Sequence, residues 1–257
     1  MLTIHPEQMR ELNRATLQRF ADEMFGHARE FSPDLCKTLS NEELARGIWA
    51  AIEQSRGYGF ERRGPIRLYI ELSLLFGSKF DTDPQYPWAG RILRENRDEM
   101  LRAEGLYRAV LRYQDATAGN DASSARRAMQ RLHDLAQMSH DYAAQDFSSA
   151  MLGHIAHSCP EKFRHAGNDA MLALIREAGG AARRAGFQSA RAYALVVALM
   201  VAFGHGCICD PFYPWISNTL ADPMIATAGI RADRLERKAL IWLKSVMSDT
   251  AAVIRHE

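Results

Sequence analysis

The sequence predicts an all-α protein made of two tandem helical bundles, and three observations support this. Apolar residues recur every three or four positions along most of the chain, which is the spacing of amphipathic helices. No stretch bounded by turn residues alternates apolar and polar side chains, as a half-buried strand would. The chain also aligns with itself when Phe20 is placed on Phe147, so each helix is expected twice.

The internal repeat pairs residues 20–93 with residues 147–220 without a gap, and 21 of these 74 paired positions are identical. We call the constant separation of the paired positions the repeat offset. The identities include glycines, prolines and a tryptophan, and a period this long indicates a duplicated domain and not a solenoid. We therefore expect one helical repeat over residues 1–119 and a second over residues 120–257, with "TAGNDAS" at 117–123 as the linker.

The first helix is predicted over about Pro6–Phe31. Phe20, Met24 and His27 are spaced by four and three residues, which places them on one face. Pro33 should end this helix, because the residue before a proline is kept away from helical angles.

The second helix is predicted to begin at Ser40. Glu43 follows three residues later, and together they form the capping box that satisfies free amides at a helix start. The helix should end near Gly59, which can take the left-handed conformation of a C-terminal cap. Gly186 repeats this stop in the second half.

The remaining helices follow from the same apolar spacing. They are predicted over about Pro65–Phe76, Trp88–Leu93, Arg97–Ala116, Ser123–His157, Ala190–Phe203 and Ala232–Val253. The most apolar run, residues 192–203, is 12 residues long, whereas a membrane helix needs roughly 20. It is expected to be a buried core helix.

Composition limits the classes of partner. The 257 residues are 47% hydrophobic and 25% charged, as in soluble globular proteins, and the net charge of +1 provides no basic surface for nucleic acid. The charged N-terminus lacks the apolar core of a signal peptide. We expect a cytoplasmic protein that binds neither nucleic acid nor membrane.

The segment "FDTDPQYPWAGRIL" concentrates polar and aromatic residues, and "CICDPFYPWISNTL" repeats its skeleton. Asp83 and Asp210 each precede a proline, a pattern that predicts a helix start capped by the carboxylate. The tryptophan that follows should insert between helices. The alternative is that Asp81, Asp83 and the aromatic residues line a cleft for a ligand or partner.

Two histidine-containing patterns are candidates for chemistry. His205, Cys207, Cys209 and Asp210 could ligate a metal, but their spacing differs from that of zinc sites, and packed, reduced thiols are the favoured interpretation. His27 and His154 lie at equivalent positions on apolar faces, which favours hydrogen-bonded core histidines over acid–base groups. No metal or cofactor is expected.

Three stretches, "MLTIHPEQM", "RGYGFERRGPIRLYIELSLLFG" and "FDTDPQYPWAGRIL", together resemble a family of uncharacterised bacterial proteins. That family is encoded beside type VI secretion spike and PAAR-tip effector genes. The resemblance covers mainly residues 1–93 and carries no catalytic residues. It implies a cytoplasmic accessory protein that handles an effector, as an immunity protein or as a loading adaptor or chaperone.

The leading hypothesis is therefore a protein without enzymatic activity that binds a secreted effector or spike component. Candidate partner-binding residues lie at the two repeated corners and are Lys79, Asp81, Tyr86, His205, Phe212 and Tyr213. One alternative is an enzyme or small-molecule binder with a site at the DP-x-YPW corner of one repeat. A self-associating structural protein is another.

Overall fold

The computed structural model describes residues 6–117, here called the first half, and residues 146–253, the second half. All regular structure in these two ranges is helical, which confirms the predicted all-α class. The linker predicted at 117–123 and the first part of the helix predicted at Ser123–His157 lie mostly outside the described residues.

Each half contains six α-helices. Those of the first half are α1 Pro6–Phe31, α2 Pro33–Cys36, α3 Asn41–Gly57, α4 Arg63–Phe76, α5 Pro87–Leu93 and α6 Glu99–Thr117. Those of the second half are α7 Phe147–Ser158, α8 Pro160–Ala166, α9 Asn168–Arg184, α10 Ala190–Phe203, α11 Pro214–Ala221 and α12 Ala228–Val253. A 3-10 turn at Cys207–Cys209 precedes α11.

The helix signals in the sequence are confirmed where they depend on local chemistry. The Ser40 hydroxyl accepts a hydrogen bond from the amide of Glu43 at 3.2 Å, and the Glu43 carboxylate accepts from the Ser40 amide at 2.9 Å. This is the predicted capping box at the start of α3. Gly59 follows the end of α3 at φ +74°, in the predicted left-handed conformation.

The short helices α2 and α8 were not predicted. The prolines at 33 and 160 do end the preceding helices, because Ser32 and Cys159 leave helical angles with φ near −135°. Each proline then occupies the first position of a new helix, where its missing amide hydrogen costs nothing. The prediction from the sequence was only that Pro33 ends a helix, not that it begins the next one.

Helices of the two halves recur at the repeat offset found in the sequence. Helices α3 and α9 begin at paired positions and end at paired positions, and the same is true of α4 and α10. Gly186 has φ +78°, close to the angle of Gly59.

One continuous cluster of buried apolar side chains runs through both halves, from Phe20 to Ala239. The last helix of each half also packs against the other half. Helix α6 packs against α8 of the second half, and α12 packs against α2 of the first half. Within the described ranges no helix is long and apolar enough to cross a membrane, and the most apolar, α10, has 14 residues.

Candidate functional site

The two repeated corners lie against each other. The first corner, Gly77–Trp88, joins α4 to α5, and the second corner, Gly204–Trp215, joins α10 to α11. Both make the same tight turn. The amide of Phe80 donates a hydrogen bond to the carbonyl oxygen of Gly77, and the amide of Cys207 donates one to that of Gly204, each at 3.1 Å.

Two buried aspartates connect the corners reciprocally. Asp83 accepts a hydrogen bond from the amide of His205 at 2.7 Å, and Asp210 accepts one from the amide of Ser78 at 2.7 Å. The other carboxylate oxygen of each aspartate accepts the amide two residues further on, at 2.8 Å in both corners. Each carboxylate therefore holds its own turn and the opposite corner together.

This arrangement corrects the prediction that Asp83 and Asp210 start a helix with the proline that follows. Helix α5 begins later, at Pro87, with Tyr86 as its N-cap, and α11 begins in the same way at Pro214. The carboxylates are used by donors from the opposite corner, which the local sequence does not reveal.

The corners also approach backbone to backbone. Gly77 has φ +93°, and a Cβ atom added to it would lie 2.6 Å from the carbonyl oxygen of Phe203. Gly204 has φ +88°, and its Cβ would lie 2.5 Å from the carbonyl oxygen of Phe76. Only glycine fits these two positions, for both conformational and steric reasons.

Four of the six predicted partner-binding residues are buried at the corners. The exposed fraction is 6% for Asp81, 4% for Tyr86, 1% for Phe212 and 6% for Tyr213. The ring of Phe212 packs directly over Gly47 of α3, so that it joins the two halves.

Of the six, only Lys79 and His205 are not buried, and the His205 side chain is just 11% exposed. Lys79 is exposed and His205 partly so. Nδ1 of the His205 ring lies 2.9 Å from a carboxylate oxygen of Glu177, and Nε2 lies 3.1 Å from the carbonyl oxygen of Lys79.

Burial raises the pKa of several groups near the corners. Burial and the hydrogen bond to Asp81, 2.7 Å long, raise the pKa of Tyr58 to about 12. Burial also raises the pKa of Asp210, although the amides of Ser78 and Phe212 oppose the shift. The pKa of Cys207 lies well above its ordinary value, because the thiol is fully buried near Asp210.

The histidine and cysteine patterns take the following places. His27 is partly buried and its Nε2 lies 2.7 Å from a carboxylate oxygen of Glu71, as expected of a hydrogen-bonded histidine. Cys207 is buried and Cys209 exposed. The described residues contain no cluster of three or more histidine, cysteine or acidic side chains placed to hold a metal ion.

Two surface grooves that the sequence analysis did not find lie at matching places in the two halves. The first groove has a volume of about 610 Å³ and is lined by Arg14, Thr16, Leu17, Phe20, Arg56, Glu61, Arg63 and Ile66. The second groove has a volume of about 700 Å³ and is lined by Phe147, Ser148, Ile175, Arg176, Gly179, Arg183, Gln188, Ala190 and Tyr193.

Five lining positions of the first groove recur in the second at the repeat offset. Two of them, a phenylalanine and an arginine, are identical pairs: Phe20 with Phe147, and Arg56 with Arg183. These identical pairs were the only sign of the grooves in the sequence. The sequence does not show that the start of one helix and the end of another lie side by side and form a groove.

A third surface feature lies on α6. Met100, Tyr107 and Leu111 are spaced by seven and four residues and so share one face, and their exposed fractions are 46%, 54% and 43%. We call these three residues the α6 stripe. Another face of α6, which includes Leu106 and Tyr113, is buried in the core.

A comparison of this chain with known protein families, curated proteins and solved structures finds no match. Its function is therefore argued from the geometry of these surfaces, since a fold by itself does not define an activity.

Proposed function

We propose that this chain is a non-catalytic, cytoplasmic accessory protein that binds a type VI secretion effector, as an immunity protein or as a loading adaptor or chaperone. The α6 stripe is the observation that carries the proposal. The family resemblance of residues 1–93 supplies the class of partner.

The α6 stripe has the properties of a docking surface. Tyr107 and Leu111 lie one turn apart and remain about half exposed, although α6 already buries another face, which is apolar except for Arg102. A helix needs only one apolar face to pack on its own core, so a second one is favourable when a partner covers it. Tyrosine and methionine are also enriched where proteins meet.

The corners, by contrast, are occupied by structural contacts. Both oxygens of Asp83 and of Asp210 accept backbone amides, so a substrate there would compete with the hydrogen bonds that hold the two halves together. This use of the carboxylates favours a binding protein over an enzyme with its site at one corner.

We propose also that the two halves arose by internal duplication. Support comes from the 21 identities in 74 paired positions and from helices whose bounds recur at the same offset. The reciprocal bonds of Asp83 and Asp210 are the contacts expected of two related halves facing each other.

Co-expression with the effector encoded beside this chain tests the proposal. A complex should survive size-exclusion chromatography at micromolar concentration, and the double variant Tyr107→Asp and Leu111→Asp should lose it. Met224→Asp is the matched control, because Met224 is 86% exposed but lies outside the α6 stripe. Absence of a complex with the unmodified chain would overturn the proposal. A purified chain that is dimeric through the stripe would favour self-association instead.

The same strains separate the two roles. If this chain is an immunity protein, the effector should stop growth when the chain is omitted. If it is an adaptor, growth should be normal and secretion of the effector should be lost. A Tyr107→Asp and Leu111→Asp chain should reproduce whichever result omission gives.

A further inference from the structure

The two grooves differ in the side chains at several paired positions. Arg63 of the first groove stacks its guanidinium over Phe20, with 5.1 Å from Cζ to the ring centre, and pairs with Glu23. At the paired position the second groove has Ala190. Ile52 is likewise replaced by Gly179, which lines the second groove. The second groove therefore has smaller side chains at these two positions, whereas Tyr193 is larger than its paired Ile66.

The charged side chains differ as well: the first groove is lined by three arginines and Glu61, the second by two arginines, and both linings carry a net charge of +2. Glu61 of the first groove is replaced by Gln188, and Trp49 is replaced by Arg176. Arg183 retains the arginine of the first half. Among the described residues that line it, the second groove therefore has two exposed arginines and no acidic side chain.

An apolar wall accompanies these arginines. Phe147 and Tyr193 lie edge to face, with ring centres 6.1 Å apart, and Ile175 adds an aliphatic surface. Arginine binds carboxylates through paired hydrogen bonds, and aromatic walls accept apolar side chains. The second groove therefore combines the two features that recognise a carboxylate next to an apolar side chain.

We propose that the second groove binds an acidic peptide segment in which a carboxylate residue adjoins an aromatic or aliphatic one. Arg176 and Arg183 contact the carboxylates, and the apolar side chain enters the space beside Gly179 and Tyr193. The inference rests on the proposed function, because the segment belongs to the protein partner. Nucleic acid is less suited, since the whole chain carries a net charge of only +1.

A fluorescence anisotropy titration of the full chain tests the site. The probe is a labelled eight-residue peptide in which two carboxylates flank a leucine–phenylalanine pair, and the control peptide has amides in their place. Binding at roughly 10–100 μM is expected for the acidic peptide, with at least about tenfold weaker binding for the control, since hydrogen bonds to charged groups are the stronger ones.

Matched variants locate the binding. Arg183→Glu and Gln188→Glu should each weaken the acidic peptide about tenfold or more, because both place a carboxylate in the second groove. Arg56→Glu and Glu61→Gln, at the equivalent positions of the first groove, should leave the affinity unchanged. Gly179→Leu should block binding by filling the groove, and circular dichroism should show the same helicity for all variants.

Three results would overturn the inference: equal affinity for both peptides, equal loss in Arg56→Glu and Arg183→Glu, or tighter binding of an eight-nucleotide single-stranded DNA than of the acidic peptide. The outcome is separable from that of the proposed function. An effector complex that depends on the α6 stripe but tolerates Arg183→Glu and Gln188→Glu removes this site alone. Peptide binding without any effector complex removes the proposed function alone.

Discussion

The carboxylate of Asp83 lies 2.7 Å from the amide nitrogen of His205, which follows it by 122 positions in the chain. With the equivalent bond from the Ser78 amide to Asp210, it makes the corners a single hydrogen-bonded unit. The stability of each half is therefore expected to depend on the other.

The first prediction concerns these aspartates. Asp83→Ala should lower the free energy of unfolding by on the order of 3 kcal/mol, because each buried donor left without a partner costs about 1–3 kcal/mol. Urea denaturation followed by circular dichroism measures the change. Asp34→Ala is the control: Asp34 pairs with Lys37 at the surface and should cost no more than about 1 kcal/mol. Equal losses in the two variants would contradict the structural role of Asp83.

A second prediction compares two glycines that both have positive φ. Gly204→Ala should be strongly destabilising, because its Cβ would lie 2.5 Å from a backbone carbonyl oxygen that cannot move aside. Gly186→Ala meets no atom within 4 Å and should cost only about 1–2 kcal/mol for the left-handed backbone. The difference in thermal midpoint between the two variants measures the closeness of the corners. A Gly204→Ala protein as stable as Gly186→Ala would show that the corners do not touch.

The four cysteines should differ sharply in reactivity. Only Cys209 is exposed, while Cys36, Cys159 and Cys207 are buried. The raised pKa of Cys207 also keeps its thiol protonated, and the thiolate is the reactive form. One thiol should react quickly with Ellman's reagent in the native protein and four after denaturation, and Cys209→Ser should abolish the fast reaction. Fast labelling in that variant would place a second thiol at the surface.

The raised pKa of Tyr58 predicts that the folded protein loses stability at alkaline pH. Its pKa is raised from 10 to about 12 in the folded protein, so the unfolded chain releases this proton first. The stabilising contribution is complete below pH 10 and is lost as pH rises through about 12. The free energy of unfolding should therefore fall less steeply over this window in Tyr58→Phe than in the unmodified protein. If the free energy of unfolding changes with pH in the same way in both proteins, the pKa of Tyr58 is not raised.

Local chemistry accounts for the parts of the fold that the sequence predicts well. The Ser40 and Glu43 capping box and the stop at Gly59 need only neighbours along the chain, and both are found as expected. The prediction of a helix start at Asp83 was wrong: one carboxylate oxygen accepts the local amide of Gln85, the other accepts the amide of His205 in the other half, and the helix begins only at Pro87. Its sequence resembles a helix start, and only the tertiary structure shows the second donor, which uses the other carboxylate oxygen.

The candidate surfaces were harder to predict for a related reason. A groove forms where separate elements meet, so Arg183 at the end of α9 and Tyr193 on α10 give no common pattern in the sequence. The α6 stripe has the same apolar spacing as a core face. Periodicity identifies the faces of a helix, but it does not reveal which of two apolar faces stays uncovered.

The mutual crossing of the corners has the form of an isologous contact, in which each member offers the other the same surface. Such a contact is complete with two members and leaves no position for a third. On the proposed duplication, the ancestral half would have been a homodimer closed by Asp83 and its symmetry mate. Fusion into one chain fixes the ratio of the two members, and each can then change separately. Under that proposal, Gly179 and Gln188 can differ from their paired residues Ile52 and Glu61 without any change on the other side of the former two-fold axis.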